Sequence, residues 1–332
     1  MRTRRTFALS TLLCFGFLNL AVSADTLDLA PLKASLPPLS FSSPPPTYAK
    51  PVIDYFTYYG LGHAACAHYF GTFRSGGNLL AGHVYKQDSC LGTVFLIHGF
   101  YDHTGILKNL ISLCLDEKFC VAVFDLPGHG LSTGEPAAID SFAEYSNAFA
   151  DFVALCDVHV PRPYAAIGHS TGCAVLLSRL FFANETRFSR VIMLAPLVRS
   201  EYWVLSKAGY ALAPFATTMP RWMRDESHDA SFLAWFDRDP LQVKHFPVRW
   251  AKALFAWEAR MDTVTPRRFP VSIIQGTADN TVGWRYNIPF LQRKIPGCDV
   301  TTIPGARHHL INETAPYREK CLEKIREILR TL

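Results

Sequence analysis

Gly168-His-Ser-Thr-Gly172 breaks an apolar run that starts at Tyr164 and leads into Cys173-Ala-Val-Leu-Leu-Ser-Arg-Leu180, which has a helical pattern. A strand that turns at once into a helix needs small residues on both sides of the turning point, and glycines stand two positions either side of Ser170. Such a nucleophile elbow holds the Ser170 hydroxyl clear of the sheet, above the first turn of the next helix. The free N–H groups there favour a developing oxyanion. A serine hydroxyl is a poor nucleophile until a base takes its proton and a third group orients that base.

The carboxyl ends of expected strands are where an open α/β sheet gathers its site. Asp279 follows the run that begins Val271-Ser-Ile-Ile-Gln-Gly276, and His308 follows Val300-Thr-Thr-Ile-Pro-Gly305 in the same way. His309 is the competitor for the base. Ser170, then Asp279, then His308 is the chain order that a strand–elbow–helix architecture uses for nucleophile, acid and base. The oxyanion needs two backbone donors. The N–H of Thr171 is one; the other is the N–H of Phe100, in the loop after Thr93–Ile97, where Gly99 is expected to let the backbone turn sharply. His98 and His103 read as residues that order this loop, and Asp125 as a structural residue of the next one.

These residues need a scaffold, and the chain alternates short apolar strands with amphipathic helices. Strands are expected at Gly77–Lys86, Gly92–Ile97, Cys120–Phe124, Val191–Pro196, Val271–Gly276 and Asp299–Ile303, besides the one before Ser170. Helices are expected over Thr104–Leu115, after the capping box of Ser141 and Glu144, near Val282–Ile295, and at the end, where Leu322, Ile325, Ile328, Leu329 and Leu332 share a face. This is the pattern of a mostly parallel sheet covered by helices on both faces.

Five motifs then occur in order: His98-Gly99-x-x-x-His103-x-Gly105, Asp125-x-x-Gly128-His129-Gly130-x-Ser132, Gly168-His169-Ser170-x-Gly172, Gly276-x-x-Asp279 and Gly305-Ala-Arg-His308-x-Leu-x-Asn312-Glu313. Over residues 77–331 the chain resembles the α/β-hydrolase superfamily, and most of all its monoacylglycerol lipase and lysophospholipase-like branch. The resemblance implies the α/β-hydrolase fold with an inserted cap. It also implies a triad of Ser170, Asp279 and His308, with the first of the paired histidines as base, and an oxyanion hole from the amides of Phe100 and Thr171. His309 and Thr171 depart from residues common in that branch.

The alternation lapses at about residues 199–269, where such a cap is inserted. Five of the six tryptophans lie there. Most of these rings are expected to form the cap's own core and its seam with the domain below. Trp203, Phe215, Trp222, Trp235 and Phe236 are candidates for an apolar acyl channel over Ser170.

Arg2, Arg4 and Arg5, the uncharged run Phe7–Val22 and the small residues Val22-Ser-Ala24 read as a signal peptide over residues 1–24, hence an exported, periplasmic or secreted protein. Its removal takes three Arg and no acid, moving the formal charge from +5 to +2, which gives no support for nucleic-acid binding. Residues 25–51 are rich in Pro and Ser; from Pro31 to Pro51 no ladder or helix is expected, only an extended arm or linker. Residues 52–332 then form one domain with its cap. Without Cys14, eight cysteines remain with undetermined pairing, Cys156 and Cys173 reading as buried thiols. No Cys/His cluster suggests a metal. The expectation is an exported serine hydrolase of esters with an apolar acyl part, such as a monoacylglycerol or lysophospholipid, working without cofactor and in transient contact with membrane lipid. A thioesterase, peptidase or perhydrolase using the same triad, or a silent binding module, are the alternatives.

Overall fold

A computed structural model of the chain describes residues 26–212, 216–221 and 225–332. The expected signal peptide lies outside the described residues, as do Phe215 and Trp222. In chain order the strands are β1 (Ala67–Ser75), β2 (Asn78–Lys86), β3 (Thr93–Ile97), β4 (Cys120–Phe124), β5 (Tyr164–His169), β6 (Phe188–Leu194), β7 (Thr218–Pro220), β8 (His245–Pro247), β9 (Val271–Gly276) and β10 (Asp299–Ile303). Eight of them make one sheet in the order β1-β2-β4-β3-β5-β6-β9-β10. The pairs β1–β2 and β2–β4 are antiparallel, and every later pair is parallel. Strands β7 and β8 pair separately, in the cap. This is the α/β-hydrolase fold that the sequence pattern predicts. Strand β1 escaped that reading, because His68, Gly71 and Arg74 interrupt its apolar alternation.

Helices α1 (Leu29–Ala34) and α2 (Lys50–Tyr59) precede the sheet, and α3 (Lys108–Asp116), α4 (Phe142–Cys156) and α5 (Thr171–Phe182) connect its first half. The cap contributes α6 (Trp203–Leu212), α7 (Ala230–Arg238) and α8 (Val248–Thr263), and α9 (Trp284–Lys294) and α10 (Ala315–Leu329) complete the chain. The Ser141/Glu144 capping box opens α4. The expected helix from Thr104 divides into a 3₁₀ turn, Thr104–Leu107, and α3. Leu332, expected on the buried face of α10, is exposed.

The pleat of each strand sends alternate side chains into two cores. Phe95, Ile97 and Ala166 join Phe149, Phe152 and Trp257 on one face of the sheet. Val94, Leu96, Ala165 and Ile167 join Tyr55, Ile111 and Ile325 on the other. Phe149 sits among Phe95, Phe124 and Phe188, at ring centroid distances of 6.3, 6.4 and 5.7 Å. A disulfide joins Cys90 to Cys120 at the start of β4, and Cys156 and Cys173 are buried free thiols.

The Pro-rich arm is more structured than its composition suggests. Pro31 falls inside α1, because proline is tolerated in a first helical turn, and Asp28 caps that helix. Pro37 and Leu39 then exchange backbone hydrogen bonds with Thr72 of β1, at 2.7 and 2.9 Å, and Leu32 is fully buried.

Phe149→Ala removes a ring that several elements share, so equilibrium urea unfolding should show a loss of about 3–5 kcal/mol.

Candidate active site

Ser170 ends β5 and caps α5 with φ 51° and ψ −109°. A non-glycine residue held there costs on the order of 1–3 kcal/mol. The surroundings enforce it: Ser170 N–H donates to the Leu194 carbonyl at 2.9 Å, and the Ser170 carbonyl accepts from Cys173 and Leu197 N–H at 3.0 and 3.3 Å. A Cβ on Gly168 would lie 2.7 Å from the Gly172 backbone, and one on Gly172 would strike the Ile97 carbonyl. The two glycines therefore let β5, β3 and α5 meet closely enough to present the hydroxyl.

Asp279, just past β9, and His308, past β10, meet with Nδ1 2.8 Å from Oδ2. A carboxylate only accepts, so Nδ1 carries the proton and Nε2 is left as the basic atom. The other Asp279 oxygen accepts N–H bonds from Thr281 and Val282 at 2.8 and 3.1 Å. Burial pushes the Asp279 carboxyl up, but His308 and these amides outweigh it and hold the group below its ordinary value. Burial works against the imidazolium of His308 too; the Asp279 charge wins and raises its pKa. The loop carrying His308 is tied down by buried Glu313, which accepts from Arg307 N–H at 2.7 Å and from His228 of the cap at 2.8 and 2.9 Å.

The adjacent histidines face different partners. His309 packs edge-on against Phe232 and Phe236, with its Nε2 3.8 Å from Asp102 and 3.5 Å from Glu226.

In the loop after β3, Gly99 is not in the left-handed region; Tyr101 is, with φ 69°. The sharp turn expected at Gly99 thus falls two residues later. Glycine is needed at 99 because a Cβ would lie 2.8 Å from Asp102 Oδ2 and 2.9 Å from His169 Nδ1. His98 Nδ1–H donates to the Gly99 carbonyl at 2.7 Å while Nε2 accepts Leu126 N–H at 2.9 Å. Burial drives its pKa down to about 3, so it is a neutral brace. His103 pairs with Asp239 of the cap at 2.8 Å, and Asp239 also accepts the Tyr59 hydroxyl at 2.6 Å. Asp125 accepts from Thr104 and Leu131 N–H, both at 2.8 Å.

A pocket of about 460 Å³ contains Ser170, His308, Phe100 and Thr171. Its apolar wall includes Leu205, Tyr210, Phe246, Val248, Trp250 and Leu254. Trp250 lies in the cap and stacks on Phe100 at 4.0 Å. Three of the cap residues expected to line the channel do not. Trp203 packs on Phe255 at 4.9 Å, Trp235 lies against Tyr59 at 5.8 Å, and Phe236 backs His309. Trp203 thus packs within the cap, while Trp235 and Phe236 close the seam between cap and domain, the commoner fates of such residues. Asp102, His169 and Glu226 also line the pocket, although the sequence reading assigned them nothing. Only His169 carried a signal, through its place inside the elbow. A separate cavity of about 320 Å³ lies among α4, α5 and α8, away from Ser170.

Fold, elbow and Asp–His pair together define a hydrolase of the α/β-hydrolase fold with a serine at its nucleophile elbow. Residues 88–315 match the model of the Hydrolase_4 family, described as serine aminopeptidase S33, and the chain belongs to that family. Among its relatives is the monoglyceride lipase homolog of monkeypox virus, 26% identical over 244 residues, which cover 70% of this chain and 87% of that protein. The phospholipase YtpA of Bacillus subtilis is 24% identical over 210 residues, covering 60% of this chain and 80% of that protein. A soluble variant of the monoglyceride lipase of Saccharomyces cerevisiae, solved with a substrate analog, superposes with a TM-score of 0.67 at 18% identity, covering 77% of this chain and 92% of that one. At that identity the superposition shows the fold alone.

Gly172→Ala forces a methyl group against the Ile97 carbonyl, so it should destabilise the chain by about 1–3 kcal/mol. Calorimetry checks the loss, and fluorophosphonate labelling of Ser170 should slow in the fraction that still folds.

Proposed function

We propose that the chain is an exported serine hydrolase that cleaves carboxylic esters with an apolar acyl part, of the monoacylglycerol or lysophospholipid kind, through an acyl-enzyme. The observation that carries this reading is that His308, held by Asp279, lines the same pocket as Ser170, beneath a mainly apolar wall. Ser170 attacks the ester carbonyl as His308 Nε2 takes its proton. The amides of Phe100 and Thr171 receive the oxyanion, a donor of this kind contributing about 3 kcal/mol. His308 then protonates the leaving alcohol, and water activated by the same nitrogen releases the acyl group. Asp279 holds the imidazole tautomer and stabilises its charge. The relatives named as monoglyceride lipase homolog and phospholipase support a lipid ester as substrate.

Export is supported by the basic, apolar and small order of residues 1–24 and by the Cys90–Cys120 disulfide. Tyr202, Leu205 and Met219 line the pocket and are exposed, which suits transient contact with a lipid surface.

Ser170→Ala and His308→Ala should each lower ester hydrolysis by several orders of magnitude in a folded protein, whereas His309→Ala should lose much less. Near-native turnover in Ser170→Ala would refute the elbow assignment, and the reverse order of the histidine variants would move the base. Since His308 must be neutral to act, and Asp279 raises its pKa above 6.5, kcat/KM should fall as pH drops through a midpoint above that value.

The apolar wall predicts discrimination by acyl length, measured on p-nitrophenyl esters. Each methylene buried contributes up to ~0.8 kcal/mol, so two or three more should raise kcat/KM about ten- to fifty-fold until the pocket is full. A flat or falling series from acetyl to octanoyl, with turnover of aminoacyl nitroanilides instead, would assign the chain to peptide substrates.

A further inference from the structure

Three titratable side chains that the ester mechanism does not use line the same pocket as Ser170. Asp102 comes from the loop after β3, His169 from the end of β5 and His309 from the loop after β10; all three are buried. One nitrogen or carboxylate oxygen of each lies within 4.8 Å of those of the other two. His169 Nδ1 is 3.1 Å from Asp102 Oδ2, and His309 Nε2 is 3.8 Å from Asp102 Oδ1. Glu226 of the cap brings a fourth oxygen to 3.5 Å from His309 Nε2. Donors around a tetrahedral zinc, at bond lengths near 2.0–2.2 Å, stand about 3.3–3.5 Å from one another. The closest observed separations, from 3.1 to 3.8 Å, bracket that range, and the atoms of the trio, all within 4.8 Å of one another, must draw together by up to about 1.5 Å to reach it.

Two further observations point to a cation. Buried Asp102 Oδ1 has no hydrogen-bond partner, although Oδ2 accepts from Gly99 N–H at 3.2 Å. His169 lies between two acceptors, because its Nε2 is 3.3 Å from the His308 carbonyl while Nδ1 faces the Asp102 carboxylate. A neutral imidazole has one N–H and satisfies one of them. A metal ion on Nδ1 satisfies both, leaving Nε2–H to donate to the carbonyl, which is how metal-bound histidines are usually held. Among the described residues Arg221 is a cation on the cap side; its guanidinium feels the charges of Glu226 and Asp102, but its hydrogen bonds go to Gln242 and the Val243 carbonyl at 2.5 and 3.1 Å.

We infer that Asp102, His169 and His309, with Glu226 beside them, form a binding site for a divalent transition-metal ion of the zinc class, and that its occupancy inhibits the enzyme. Two imidazoles and carboxylate oxygens suit zinc over magnesium or calcium. The ion shares the pocket with Ser170, so it obstructs access to the nucleophile and is removed by a chelator.

The test uses the full chain, chelator-treated, with accessible thiols alkylated so that Cys66 and Cys298 do not bind zinc. Equilibrium dialysis against zinc should give one ion per chain, and cobalt should give the visible absorption of a four-coordinate site. Asp102→Asn and His309→Gln should each weaken binding at least ten-fold with Tm little changed, while His159→Gln, remote from the pocket, should bind as the parent does. Zinc should slow fluorophosphonate labelling of Ser170 at least ten-fold, with recovery on adding chelator. Binding equal in parent and both pocket variants, or lost in His308→Ala but kept in His309→Gln, overturns the site; stoichiometric binding with unchanged labelling overturns the inhibition.

Discussion

The active site depends on a backbone crowding problem solved at one point. Strand β5 must stop, reverse its curvature and start α5 while lying against β3, and the chain does so by holding Ser170 in a left-handed conformation. The gap is so small that glycine is required on both sides: Gly168 abuts the helix start, and Gly172 abuts the end of β3. The strained residue is itself the nucleophile. Its strain is sustained by the two cores on either face of the sheet, which fix β3, β5 and β6 in register.

Around that point the polar groups are arranged as braces, each joining segments far apart in sequence. Asp279 joins His308 to the turn after β9, and Asp125 pins the start of the Thr104 turn to the Leu131 backbone. Two pairs fasten the cap to the domain: His103 with Asp239, both buried, and buried Glu313 with the more exposed His228. Each of these carboxylates accepts more than one hydrogen bond, so little of the desolvation cost of burying a charge is left uncompensated. The cap is therefore tied to the domain at two separate points, through α7 and its neighbouring loops.

Much of this was legible in the sequence, for physical reasons that also explain the failures. Most of the parallel strands are short, mainly apolar runs, and Asp279 and His308 lie a few residues past the ends of β9 and β10, so they could be placed by position. The local pair Ser141 and Glu144 announced α4. Strand β1 was hidden because its partners are the arm and β2, which tolerate His68 and Arg74. The cap was legible only as an aromatic-rich interruption. Which rings face inward depends on how α6, α7 and α8 pack, and no periodicity in short, irregular helices encodes that. Thus Trp203 and Trp235 were chosen for their type, whereas Trp250 and Leu254 line the pocket through their place on α8. Asp102, His169 and Glu226 come together from three distant segments, and spacing along the chain could not reveal them.

The N-terminal arm has an effect beyond covering apolar surface. Strand β1 is the outermost strand on one side of the large sheet, and an open edge invites strand addition by another molecule. The arm crosses it close enough that a Cβ on Gly71 would lie 2.5 Å from the Leu39 nitrogen. Pro37 and Pro38 have no N–H to offer a further strand. The chain thus terminates its own sheet with a segment that cannot be extended, and so resists the edge-to-edge self-association that a concentrated or partly unfolded hydrolase would otherwise risk.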